Sequence, residues 1–76
     1  MTPLMLRQLW SLVDATQVAL LLSLDDTSLV QWLLRQFRIQ QPLNPEEITI
    51  LSGYIQSKLS LIRDLAHQKI ETITQV

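Results

Sequence analysis

The side chains best able to do acid–base chemistry in this chain are Asp64, His67 and Glu71. They stand at i, i+3 and i+7, the spacing that sets residues on one face of a helix. A carboxylate beside an imidazole can orient it as a general acid or base. Such a base still needs a nucleophile, an oxyanion donor or a metal around it, and no other residue in the sequence suggests itself for those roles. The three residues therefore read as a solvated face with ordinary ion pairs. Asp25 and Asp26 are adjacent acids, a type of pair that can hold a metal or move protons. They sit at the head of an apolar helical stretch, where capping alone accounts for the residue type. Glu46 and Glu47 read the same way. There is no cysteine and His67 is the only histidine, so disulfides and thiolate metal sites are excluded and a zinc site lacks ligands. The expectation is a non-enzyme with no metal and no cofactor.

The elements that carry these residues must fit into 76 residues, enough for one domain over 1–76. A chain of this size buries only about 60–65% of the surface it exposes when unfolded. Without disulfides or a metal, it must rely on good packing or self-association. Apolar residues make up 47% and are mostly Leu, Ile and Val, since alanine occurs only at Ala15, Ala19 and Ala66. Charged residues are 17%, below the usual ~25%. Many bulky side chains and few charges imply a greasy surface patch, the kind that marks partner contacts. The net charge of −1 gives no electrostatic reason to bind phosphate backbones. Met1–Arg7 has no basic region followed by an apolar run, so no signal peptide is expected. Leu4–Leu24 is apolar but interrupted by Arg7, Gln8, Asp14 and Gln17, and a charge at mid-bilayer costs ~2.5 kcal/mol or more. No membrane span and a cytoplasmic location are expected.

Thr2-Pro3 marks a helix start, with threonine as cap and proline at the first helical position. Leu6, Leu9, Val13, Leu20 and Leu24 keep roughly helical spacing. Asp14–Gln17 is the only polar interval, so Pro3–Leu24 is either one helix or two broken near Asp14. Asp25-Asp26-Thr27-Ser28 punctuates the chain and opens a second helix, Asp26–Ile39, with Arg35 and Arg38 near its C-terminal end. Asn44-Pro45-Glu46-Glu47 is a capping box with proline at the first position. It opens a long amphipathic helix, about Pro45–Ile70. Ile48, Leu51, Ile55, Ile62, Leu65 and Ile73 recur at three- and four-residue steps, with Leu59 and Ile70 on the flank. Gly53, Ser57 and Ser60 make a small-residue strip on the opposite side, where either a helix approaches closely or water lies.

Val18–Trp32 resembles the helix-turn-helix segment of many bacterial regulators. Val18 and Ala19 fit its first helix, Leu22 and Leu24 bracket a turn with Ser23 in place of the usual glycine, and Leu29 and Trp32 fit the buried positions of the second. The segment departs from the pattern where DNA would lie, because Asp25 and Asp26 would repel phosphates. Only Gln31, Arg35 and Arg38 remain to serve such a role. Separately, LLLSLDDTSLVQWLL at 20–34 and LSLIRDLA at 59–66 are similar to small uncharacterised cyanobacterial proteins. That resemblance implies a bacterial cytoplasmic setting and adds no functional residue.

These readings converge on an all-α fold, a small bundle of three to four helices with a long C-terminal helix, forming a homodimer. The expected function is a non-catalytic protein-interaction or assembly module acting through an apolar helix face. The interface residues expected are Ile48, Leu51, Ile55, Leu59, Ile62, Leu65, Trp10 and Trp32. The alternative is a small dimeric helix-turn-helix regulator that meets DNA through Gln31, Arg35 and Arg38.

Overall fold

The structure is a computed structural model describing residues 2–74, with side chains described for 2–69. The described residues form five α-helices and no strand: α1 (Pro3–Ala15), α2 (Val18–Ser23), α3 (Asp26–Gln40), α4 (Pro45–Ser57) and α5 (Leu59–Thr74). None is long and apolar enough to cross a membrane.

The N-terminal stretch resolves into two helices. Thr2 caps α1 by accepting from the Met5 backbone N–H at 3.2 Å, with Pro3 in the first turn. Met5, Leu9 and Val13 recur every four residues and are buried. The helix stops at Thr16, whose hydroxyl donates to the Leu12 carbonyl at 2.7 Å and whose N–H donates to the Val13 carbonyl at 3.2 Å. Those bonds take up carbonyls that a continuing helix would otherwise use. The sequence left this break open, and the structure places it at Thr16–Gln17.

Leu29, Val30, Leu33 and Phe37 form the buried face of α3. The capping box of α4 is present: the Glu47 N–H donates to Asn44 Oδ1 at 2.8 Å and the Asn44 N–H donates to Glu47 Oε1 at 3.0 Å.

The expected long helix Pro45–Ile70 is not continuous, which also raises the helix number above the three or four expected. It is interrupted at Lys58, with φ −110° and ψ 7° and an N–H that closes back on the Ile55 carbonyl at 3.0 Å. One residue earlier, the Ser57 hydroxyl donates to the Tyr54 carbonyl at 2.7 Å, a back-bond that bends helices. Buried positions run Leu51, Ile55, Leu59, Ile62 and Ala66, steps of four and three that pass through the bend unbroken. The periodicity therefore gave no sign of the break. Packing accounts for it, since α4 lies against α3 whereas α5 lies against α2. At about 1.5 Å per residue, the 13 residues of α4 and 16 of α5 laid end to end match the molecule's 43 Å long dimension. The two helices thus follow one another along the molecule, and α1 closes the bundle by packing on α3.

The core draws on every helix, with Leu9, Leu21, Leu29, Leu33, Phe37, Leu51, Ile55 and Ile62 fully buried. Four residues expected at an interface, Leu51, Ile55, Leu59 and Ile62, belong to this core. Within the single chain these four are covered by neighbouring helices, α4 lying against α3 and α5 against α2.

Candidate binding groove

Two cations of α5 organise the ends of the N-terminal helices. The Arg63 guanidinium donates to the Leu21 carbonyl at 3.2 Å, the Leu24 carbonyl at 3.1 Å and the Asp26 carboxylate at 2.7 Å. It thereby satisfies orphan carbonyls at the end of α2 and an acid in the first turn of α3. Lys69 does the same for α1, donating to the Asp14 carbonyl at 2.9 Å and pairing with its carboxylate at 2.8 Å. Both acids are largely exposed, so the ion pairs themselves stabilise weakly, by about 1 kcal/mol at most. The bonds to carbonyls matter more, because those carbonyls have no helical partner.

A third cross-link joins α1 to α4. Trp10 Nε1–H donates to the Tyr54 hydroxyl at 3.0 Å, and the rings meet edge to face with centroids 6.4 Å apart. Lys58 Nζ lies 5.8 Å from the Tyr54 ring centroid, within the range of a cation–π contact.

Beside Trp10 and the Asp14–Lys69 link lies an open groove of about 700 Å³. Its α1 wall is Trp10, Val13 and Asp14, α2 contributes Val18 and Leu21, and its α5 wall is Leu65, Ala66, Gln68 and Lys69. The lining is mainly apolar. Trp10, Asp14 and Lys69 have their polar atoms engaged with one another or with Tyr54, so what they add to the groove is chiefly hydrocarbon and aromatic surface.

Of the expected interface residues, Trp10 and Leu65 line this groove. Trp32 is half-buried against the core, and Ile48 is half-buried beside smaller hollows between α3 and α4. Gln31, Arg35 and Arg38 are exposed and line one such hollow of about 230 Å³ with Leu34 and Ile48. The helix-turn-helix-like segment forms α2, a two-residue turn and α3, and α2 packs chiefly on α5. Asp64 and His67 are exposed, and the Glu71 side chain lies outside the described residues. Asp25 occupies the N-cap of α3 without making a full capping hydrogen bond. The Ser28 hydroxyl holds its pKa below the ordinary carboxylate value, helped by the backbone N–H groups of Asp25 and Ser28 and the Arg63 charge, with desolvation opposing. No cluster of metal-ligating side chains occurs among the described residues.

Sequence reasoning missed Arg63, Lys69 and Tyr54. A faint signal existed: both polar breaks in the N-terminal half leave carbonyls needing donors, and the chain has only six Lys and Arg to supply them. Compared with known proteins, the chain matches no family model, no curated protein and no solved structure.

Proposed function

We propose that this chain is a non-catalytic protein-interaction or assembly module. In this reading a partner's apolar side chains enter the groove between α1, α2 and α5. The observation that carries it is the lining: an aromatic wall at Trp10, whose N–H is engaged by Tyr54, faces Leu65 and Ala66 across open space. Concave apolar surface of this kind is where binding energy concentrates. Asp64 and His67 lie outside that lining, which supports a non-catalytic role. A homodimer and a bacterial cytoplasmic setting belong to the same proposal. The test is affinity capture with the tagged chain beside a Val18→Glu variant, which puts a carboxylate into the groove. A partner captured by the first and lost with the second supports the reading. The same proteins recovered with both, or none with either, goes against it.

A second reading, DNA binding through α3, draws on Gln31, Arg35 and Arg38 being exposed at helical spacing. Against it, Asp25 is held charged at the head of the same helix. A mobility shift at low salt that Arg35→Ala and Arg38→Ala both weaken would favour it.

A further inference from the structure

We infer that the trough between α3 and α4 binds an acidic segment of a partner protein, with Arg35 and Arg38 pairing its carboxylates and Leu34 and Ile48 receiving an aliphatic side chain beside them. The trough shares no residue with the groove between α1, α2 and α5, so this goes beyond the reading above. The chain has six Lys and Arg. Arg63 and Lys69 are spent on helix ends, and Lys58 stands over the Tyr54 ring. Arg7, Arg35 and Arg38 make no hydrogen bond or ion pair among the described residues. Arg7 is the only cation of α1. Arg35 and Arg38 are exposed and three residues apart, which sets them side by side on α3. No acid among the described residues pairs with either, so the charge they present is left for a group outside the fold.

The two arginines rim one end of the trough. A hollow of about 230 Å³ is bordered by both of them. It shares Gln31, Leu34 and Ile48 with a second hollow of about 350 Å³, so the two are continuous. Beyond Val30, the second adds only three hydroxyls and an amide, at Thr27, Thr49, Ser52 and Gln56. From Arg38 to Thr27 the α3 wall spans about 16 Å at 1.5 Å per residue, room for about three turns of a helix or five residues of a strand. Two cations at one end, followed by uncharged donors and acceptors, match a segment that is acidic at one end only. Each guanidinium offers parallel N–H groups to a carboxylate. With Cβ atoms about 5–6 Å apart, the two forks reach carboxylates on neighbouring turns of a bound segment. A nucleic-acid duplex fits less well. It needs cations repeated along its length, and Glu46 and Glu47 stand in the first turn of α4, immediately before Ile48.

The test is fluorescence anisotropy with the full chain at about 20 mM and about 200 mM salt. The probe is a labelled peptide with two glutamates one helical turn apart and a leucine beside them. The same peptide with glutamines, and a labelled DNA duplex, are its comparisons. The glutamate peptide is expected to bind at low salt and weaken at high salt, with both comparisons at least about tenfold weaker. Arg35→Gln and Arg38→Gln are each expected to raise its dissociation constant about tenfold, with unchanged circular dichroism because both positions are exposed. Val18→Glu, on the other groove, should leave it unchanged. Arg35→Glu should gain affinity for the peptide with lysines in place of glutamates, a rescue that a damaged fold does not produce. Amide shifts on adding the glutamate peptide should concentrate at residues 27–38 and 48–56. No binding of that peptide at up to about 1 mM protein, equal binding of the glutamine peptide, or binding insensitive to both arginines overturns the proposal. Tighter binding of the duplex, lost with the same arginines, overturns it in favour of the DNA reading. None of these outcomes bears on the groove between α1, α2 and α5, which the capture experiment tests separately.

Discussion

Gly53 occupies the middle of α4, where glycine has no conformational task. Its φ is not positive, and a Cβ placed there meets nothing within 4 Å. Within one chain the Gly53–Ser57–Ser60 strip faces open space rather than another helix. Gly53→Ala is therefore expected to stabilise the protein by about 0.5–1 kcal/mol, read from the urea midpoint at unchanged slope. A loss of stability instead would mean that something packs on this strip in solution, and would move the interface from the groove to the back of α4. Trp10 shows the opposite limit. It is half-buried against the core, bonded to Tyr54, and also lines the groove.

At the scale of elements, Arg63 ties three helices at one point, the end of α2, the start of α3 and the body of α5. Arg63→Met keeps most of the apolar stem but leaves the Leu21 and Leu24 carbonyls without their donor. The expected cost is about 1–2 kcal/mol, in the range of hydrogen bonds from a charged group. Asp26→Asn removes only a largely exposed ion pair and should cost less than about 1 kcal/mol. Chemical denaturation of the two variants checks this order, and a larger loss for Asp26→Asn would show that the ion pair outweighs the carbonyl bonds. Helix starts were legible because caps are local chemistry: Thr2-Pro3 and Asn44–Glu47 each act within four residues. The bend at Lys58 was not, because neither glycine nor proline lies there. It arises from which helix each half packs against.

For the whole molecule, the proposed homodimer ties association to stability. A partner that binds only the folded state raises its stability with concentration. The melting temperature of the wild type should therefore climb by about 2–5 °C between 10 µM and 1 mM, given the ~4–8 °C per kcal/mol typical of domains this small. A melting temperature independent of concentration in the wild type would speak against self-association.

Composition and spacing were enough to settle that the chain is helical and where most helices begin, because capping, turn chemistry and apolar period act over a few residues. They also marked Leu51, Ile55 and Ile62 as part of one apolar stripe, with Leu59 on its flank. A stripe only says that a surface must leave water, not what covers it. Tertiary packing supplied the cover from α2 and α3, turned those four residues from expected interface into core, and left Trp10 and Leu65 on a groove that no single segment encodes. Its α5 wall lies more than 40 residues along the chain from its α1 and α2 walls, and these helices are joined by bonds from Arg63 and Lys69. The long-range bonds that position it depend on which helix ends meet in space, and only the folded chain brings those ends together.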